Sequence, residues 1–354
     1  MEVFMHQITE KSLCFSQSPL CPLAADVISD GHSIYFYLYD LDYEQHQLIA
    51  HSACWVKNIS AAPSKFDEAW IQDDKQPILP SFLLRYDHPY EPWDATKFEI
   101  VWSKEGDMAG LFYEDCLVSA IPDWANPETF CGYSRYVQED CAVGFTMRDV
   151  EVNLRAQLQE GKAFWKQEFN GVWQLYHSAY VQGLKQRYGN VCAIYDLHQG
   201  QFPSRLLATF EDAQNYYAFT IGVGMFAMPH VSVFYEDYQK YNHNEFGIAL
   251  SKENFTKEDS LKIYNDIAQL CDYPWSNFTC FLDSHTIDVE LSLQQHCIFV
   301  DDDRYEDCLV LPFKEENVHL LWLKGLTEQE YSLYHVQEDK EGFMQYIASK
   351  GRIN

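Results

Sequence analysis

The chain has 354 residues, of which 53 are acidic and 25 are basic, giving a net charge of −28. Hydrophobic residues make up 47% of it, enough for a substantial core, yet no run reaches the roughly 18 apolar residues of a membrane-spanning helix. The acid excess is shared, −13 before Val191 and −15 from there on, so a basic patch for nucleic acid is not expected. We therefore expect neither a membrane protein nor a nucleic-acid-binding protein.

The first 150 residues are predicted to form a β-rich N-terminal domain. Residues 1–30 are of mixed character, and Pro19 and Pro22 are expected to break any long element there. Beyond them, β-branched and aromatic runs predict strands at 33–39, 51–56, 98–102, 110–113, 116–121 and 142–147. The pattern changes near residue 150, where we place the end of the domain 1–150.

Residues 151–190 show a helical pattern. Apolar residues recur there at spacings of three and four, and many of them are aromatic. Gly161 and Gly171 are expected to break the pattern into pieces, and Gly189 is expected to end it. We predict a helical connector over 151–190 that packs between the two domains.

Residues 191–354 are predicted to form an α+β domain with a mixed sheet. The predicted strands lie at 191–195, 205–210, 216–221, 246–250, 297–300, 308–311 and 318–323. Thr256 is predicted to cap a helix that carries Leu261, Tyr264, Ile267, Ala268 and Cys271 on one face. A capping box begins at Thr327, and a last helix covers about 340–350. Because strands and helices mix without a strict β-α-β rhythm, the fold class is α+β.

The stretch from Ala218 to Val231 is predicted to be central to this second domain. It has the pattern of a strand, a glycine turn and a proline corner, leading into another strand at 231–235. Gly222 and Gly224 resemble a dinucleotide-binding fingerprint. That fingerprint needs a following helix N-terminus to bind the pyrophosphate, and Pro229 with a strand pattern follows instead. We expect no cofactor.

The cysteines and histidines show neither a metal-site nor a catalytic pattern. Eleven irregularly spaced cysteines without a C-x-x-C pair favour buried thiols in a reducing cytosol. Asp283 with His285, and His296 with Cys297, lack the spacing of zinc ligands, and no G-x-S-x-G motif is present. We expect no metal, no catalytic residue and, since no signal peptide is evident, a cytoplasmic protein. An unrecognised hydrolase or transferase site in the N-terminal domain stays open as the alternative.

Motifs of the second domain, taken in order, resemble the Suppressor of fused family over about residues 191–350. They are Thr220-Ile-Gly-Val-Gly-Met225 with Met228-Pro229, Phe246–Leu250, Ile267–Leu270, Tyr273-Pro-Trp275, Asp283-Ser-His-Thr286, and Val318–Trp322 followed by Leu326–Tyr331. A weaker resemblance joins residues 1–150 to the domain that precedes this one in some bacterial proteins. It rests on Ala53–Asn58, Glu105–Asp107, Ile121–Trp124 and Gly132–Arg135.

The resemblance implies a non-enzymatic protein-binding protein. The animal member of the family holds its partner through an extended peptide clasped between its domains, with added β-pairing. Bacterial relatives are often inferred to be immunity proteins that neutralise protein toxins. Together with the negative charge, this implies a basic protein partner, plausibly a nuclease-type toxin. Asp283, Ser284 and His285 match the family's loop motif and are the candidate binding residues, with a purely structural hydrogen-bonding loop as the alternative.

Overall fold

The computed structural model describes residues 10–66, 76–85, 90, 92–287, 296–301, 318–337, 339–350 and 354. It divides the chain into two compact units, Met1–Gln167 and Glu168–Asn354. The helical region expected to form one connector is divided between the two units. That this region packs between the domains stays a prediction.

Two sheets build the first unit. One is a four-stranded antiparallel meander of β1 (Lys11–Gln17), β2 (Leu23–Ser29), β3 (Ser33–Asp42) and β4 (Gln47–Asn58). The other contains β5 (Phe98–Trp102), β6 (Met108–Tyr113), β7 (Cys116–Pro122), β8 (Tyr133–Ser134) and β9 (Phe145–Thr146). The β-rich character predicted for this part of the chain is confirmed.

Two stretches of the first unit differ from the prediction. Residues 1–30 contain the full strands β1 and β2, because Pro19 and Pro22 lie in the connection between them, where their missing N–H groups cost no ladder hydrogen bond. The strand predicted at 142–147 is reduced to the two residues of β9, since Cys141 and Gly144 form a tight bridge directly before it.

Helix α1 (Glu151–Trp165) belongs to the first unit. Its Leu154 and Leu158 join a buried cluster with residues of the second sheet and the loop before the helix: Val101, Met108, Phe112, Leu117, Ala120 and Met147. The apolar spacing that predicted a helix is therefore the spacing of the side chains that attach it to the sheet.

The second unit is built on a seven-stranded sheet. Its order is β10 (Val191–Asp196), β11 (Leu206–Glu211), β12 (Asn215–Ile221), β13 (Asn244–Ser251), β16 (His319–Leu326), β15 (His296–Asp301) and β14 (Thr286–Ile287). Neighbours are antiparallel except β13 and β16, which are parallel. The predicted mixed sheet and α+β class are thus confirmed. The strand predicted at 308–311 lies outside the described residues.

Helix α2 (Phe169–Tyr188) packs against this sheet. Tyr176, Tyr180 and Leu184 are buried, and the ring of Tyr188 lies 4.7 Å from the ring of Phe219 on β12. Aromatic side chains of this size bury large apolar areas, so the helix is an integral layer of the second unit.

The two glycines expected to break the helices both lie inside them. A Cβ at Gly161 would come within 2.2 Å of the Trp102 carbonyl oxygen, so α1 approaches the strand where only glycine fits. Gly171 lies in the first turn of α2, in open space. The end predicted at Gly189 is confirmed: φ is 82° there, and its N–H donates to the Lys185 carbonyl.

The remaining helices are α3 (Lys257–Leu270), the short α4 (Tyr273–Ser276), α5 (Glu328–Val336) and α6 (Lys340–Ser349). Thr256 caps α3 and Thr327 begins a capping box, as predicted, and the Thr256 cap is itself a capping box with Asp259. Of the helices in the described residues, none is long and apolar enough to cross a membrane.

Residues 231–235 do not form the predicted strand. Val231–Val233 is a 3-10 turn, and His230 before it has a left-handed backbone with φ of 61°. The N–H groups of Phe234 and Tyr235 both donate to the Val231 carbonyl. Local turn hydrogen bonds therefore outweigh the β-propensity of these residues, which depends strongly on a neighbouring strand.

Candidate protein-binding site

Strand β10 forms one edge of the seven-stranded sheet. Within the part of the chain that the structure describes, it pairs with β11 alone. Cys192, Ile194, Tyr195 and Asp196 are exposed, and the strand contains neither lysine nor proline. An edge strand presents backbone N–H and C=O groups that can pair with another chain, and lysine or proline is the usual obstacle. β10 therefore has the properties of a strand that accepts a further strand.

An apolar groove of about 210 Å³ lies beside this edge. Its walls are Tyr195, Leu197, Leu207, Leu261, Tyr264, Asn265 and Ala268. Leu261, on α3, is 47% exposed. The sequence predicts Leu261 on the buried face of that helix, but this face contains Tyr264 and Ile267, as predicted, together with Ile263 and Leu270, and Leu261 lies outside it. Leu261 thus adds exposed apolar surface next to the edge of the sheet.

The loop that follows β10 is fastened by His198. Its Nδ1 lies 2.5 Å from the Pro203 carbonyl oxygen, and its Nε2 lies 2.6 Å from Oδ2 of Asp272. The carbonyl and carboxylate oxygens are both hydrogen-bond acceptors, so each ring nitrogen faces an acceptor. His198 therefore links the β10–β11 loop to the start of α4.

Arg205 extends the same connection into the interior. Its side chain is fully buried, its Nη1 donates to the Gly222 carbonyl at 2.5 Å, and its Nε donates to Oδ1 of Asp272 at 3.2 Å. The guanidinium carbon lies 4.9 Å from the ring centre of Phe226 and 4.8 Å from that of Trp275. A planar cation between two rings, paired with a carboxylate, is a compensated buried charge.

Glu245 on β13 is a second buried charge-bearing group. Its carboxylate accepts from the Tyr176 hydroxyl, from the Thr220 hydroxyl at 2.6 Å and from the Gly222 N–H at 2.6 Å. Burial raises the pKa of Glu245, although these hydrogen bonds oppose the shift. The carboxylate joins α2, β12 and the glycine turn at one point of the core.

The glycine pattern that resembles a dinucleotide fingerprint has a packing role. Gly222 has φ of 106°, and a Cβ there would come within 2.4 Å of the Ser204 carbonyl oxygen. A Cβ on Gly224 would come within 2.6 Å of the Val318 side chain. Both positions bring the turn close to neighbouring chain segments, which only glycine permits.

The three candidate residues of the family loop lie together and are all hydrogen-bonded within the second unit. Oδ1 of Asp283 accepts from the Asp301 N–H at 2.8 Å, and the Ser284 carbonyl accepts from the Tyr334 hydroxyl at 2.7 Å. His285 Nδ1 lies 3.2 Å from the Cys280 carbonyl oxygen, and burial lowers the pKa of its ring. These contacts stabilise the loop, and whether it also touches a partner stays a prediction.

The groove and the buried network were missed by reasoning from the sequence. Glu245 could have been suspected, since it is a single acidic residue in the apolar strand Asn244–Ser251. Nothing local distinguishes Asp272 or Arg205 from surface charges, because their partners lie far away in the chain.

Comparison with known proteins gives one result. The family model described as Suppressor of fused protein (SUFU) matches residues 205–353. This agrees with the resemblance over about 191–350, and the second unit carries a Suppressor of fused-like domain, which indicates a role in protein interaction. No curated protein and no solved structure matches the chain.

Proposed function

Since its second unit carries a Suppressor of fused-like domain, we propose that the protein is a non-enzymatic binding protein that sequesters a protein partner. The observation that carries the proposal is the exposed edge of β10 beside an apolar groove. An extended segment of the partner pairs with β10, and its alternate side chains enter the groove against Leu261. Main-chain hydrogen bonds then supply affinity, and the groove supplies specificity.

The proposed partner is a basic protein, and the proposed biological role is that of an immunity protein against a nuclease-type toxin. The support is the net charge of −28, which both halves of the chain share. A nuclease needs a basic face to bind nucleic acid, and a strongly acidic binding protein can occupy that face. The action is steric, so no catalytic group is required.

The alternative of a hydrolase or transferase in the first unit finds no support in Cys21, one of the buried thiols of that unit. Burial raises the pKa of the Cys21 thiol well above its usual range, with Asp107 and Asp123 adding to the shift. The thiol therefore stays protonated, and the protonated form is a poor nucleophile.

Affinity capture with the full chain from its native cell tests the proposal. We expect wild-type protein to retain a specific basic protein, and the double variant Ile194→Lys/Tyr195→Lys to lose at least about 90% of it, since charged residues on an edge block strand addition. The matched control is Leu333→Lys/Val336→Lys, which places the same two charges on exposed residues of α5. It should retain the partner.

Two results would contradict the proposal. One is equal retention by the edge variant and the wild type, which would remove β10 from the interface. The other is capture of no protein at all by any form of the chain. Thermal melting of each variant must match the wild type, so that loss of fold is not mistaken for loss of binding.

A further inference from the structure

A second surface of the second unit exposes two neighbouring apolar side chains. Val233 is 76% exposed and Phe234 is 57% exposed, both at the 3-10 turn after the proline corner. Singly exposed apolar residues are common, whereas contiguous exposed apolar surface is where interaction sites are found. We call Val233 and Phe234 the turn patch. It lies outside the β10 edge and its groove.

The turn patch is held in place by its surroundings. The Phe234 ring lies 5.0 Å from the His285 ring, edge to face, and Tyr235 stacks on Tyr241 at 4.5 Å. The N–H of Val233 donates to the His230 carbonyl at 3.0 Å. The turn is therefore ordered before any partner arrives, which lowers the entropy that binding must overcome.

The charges around the turn patch are mainly acidic. Glu236 and Asp237 follow it directly in the chain, and both are exposed. Asp283 and Asp301 lie on the other side, where both raise the pKa of the Tyr235 hydroxyl after the larger effect of its burial. The opposing cations are Lys240, which pairs with Asp237 at 2.8 Å, and the nearby histidines.

The histidines do not reverse this balance. His285 is held near neutrality by burial, which lowers the pKa of its ring. His319 lies with Nδ1 at 2.9 Å from Asp301, so its charge, when present, belongs to an ion pair. His230 precedes the turn and its side chain has an interaction of its own. Among the described residues, the carboxylates near the turn patch are thus those of Glu236, Asp237, Asp283 and Asp301, of which Asp237 pairs with Lys240 and Asp301 with His319.

From this juxtaposition we propose that the turn patch is a docking surface for a basic, amphipathic segment of a partner protein. An apolar side chain of that segment covers Val233 and Phe234, and flanking arginine or lysine side chains face Glu236 and Asp237. The loop of Asp283, Ser284 and His285 then acts as a support for the surface rather than as a direct contact. The inference stands apart from strand addition at β10, because no residue is shared between the two surfaces.

Binding of a labelled synthetic peptide to the full chain tests this inference without a natural partner. The probe is a 12-residue peptide with arginines around a central leucine-phenylalanine pair, followed by fluorescence anisotropy. We expect Val233→Ser/Phe234→Ser to weaken binding at least about tenfold. The matched control, Leu333→Ser/Val336→Ser, removes an equally exposed apolar pair from α5 and should leave binding unchanged.

The charge part is tested in the same assay. Glu236→Gln/Asp237→Asn should weaken binding severalfold at low salt and reduce the salt dependence, since screened charges attract less. A peptide with glutamate in place of arginine should not bind. The inference is overturned if the wild type does not bind the arginine peptide, if Val233→Ser/Phe234→Ser binds it as tightly as wild type, or if the glutamate peptide binds equally well. The Ile194→Lys/Tyr195→Lys variant should bind the arginine peptide as tightly as the wild type. A negative result in this assay therefore contradicts the turn-patch inference and not the proposal for β10.

Discussion

At the scale of single residues, Glu245 shows most clearly how the second unit is held together. Its buried carboxylate accepts hydrogen bonds from Tyr176, Thr220 and Gly222, which come from a helix, a strand and a turn. Loss of the acceptor leaves its buried donors without a hydrogen-bond partner, and each buried donor without a partner costs about 1–3 kcal/mol of stability. The residue therefore stabilises the junction although its own ionisation is disfavoured.

We predict that Glu245→Ala lowers the free energy of unfolding by roughly 3–5 kcal/mol, since three buried donors lose their acceptor. Glu245→Gln should cost less than about 1.5 kcal/mol, because the amide keeps an acceptor oxygen and the hydroxyl groups can reorient. Urea unfolding of the full chain measures both. Equal losses for the two variants would contradict the assigned hydrogen bonds.

The raised pKa of Glu245 makes a further prediction about pH. The folded state keeps its proton at pH values where the unfolded chain has lost it, so stability falls as pH rises from about 4.3 toward the folded pKa. The Glu245→Gln variant has no carboxylic acid at this position and does not lose stability in this way. Its free energy of unfolding relative to wild type should therefore rise over the same pH range. The exposed Glu253→Gln variant, which also removes one carboxylate, is the matched control. A Glu245→Gln difference that is flat with pH would rule out the shift.

Reasoning from the sequence works where the signal is local to a residue. The helix cap at Thr256 and the capping box at Thr327 were predicted correctly, because each cap and its partner residue lie three positions apart. The Tyr176–Glu245 hydrogen bond joins residues 69 positions apart, and no local pattern identifies it. For the same reason, the supporting role of His198 and Asp272 becomes visible only in the folded chain.

At the scale of elements, periodicity in the sequence predicts which segments are helices and strands, but it does not predict how these elements are arranged in space. β10 was predicted as a strand, yet its place at the sheet edge depends on the order of all seven strands. Leu261 was assigned to the wrong face of α3, because its neighbours in the helical stripe are apolar on more than one side. Both features define the proposed binding groove, so it could not be derived from the sequence.

Helix α2 provides the test at this scale. Its aromatic face covers the sheet, with Tyr188 close to Phe210, Phe219 and Trp322. Without α2 the large apolar side chains of the sheet would be exposed to water, and each would lose roughly 1.5–3 kcal/mol of burial free energy. We predict that a fragment of residues 168–354 is monodisperse and unfolds cooperatively, whereas 191–354, which lacks α2, aggregates. Size-exclusion chromatography compares the two. A stable, monodisperse 191–354 fragment would contradict the role assigned to α2.

At the scale of the whole molecule, the dominant property is the net charge of −28. Such a charge favours solubility and, over distances of about 8 Å at physiological salt, attracts cationic surfaces. Charge mainly sets the association rate, while apolar contacts at the β10 groove and the turn patch would slow dissociation. The two proposed surfaces and the charge together support the proposal of a basic protein partner.

The most direct measurement of this central claim is the association rate of the captured partner with the full chain, at about 50 mM and 500 mM salt. We predict a basic partner whose association rate falls at least about tenfold between these conditions, while the dissociation rate changes little. An acidic partner, or an association rate indifferent to salt, would contradict the account.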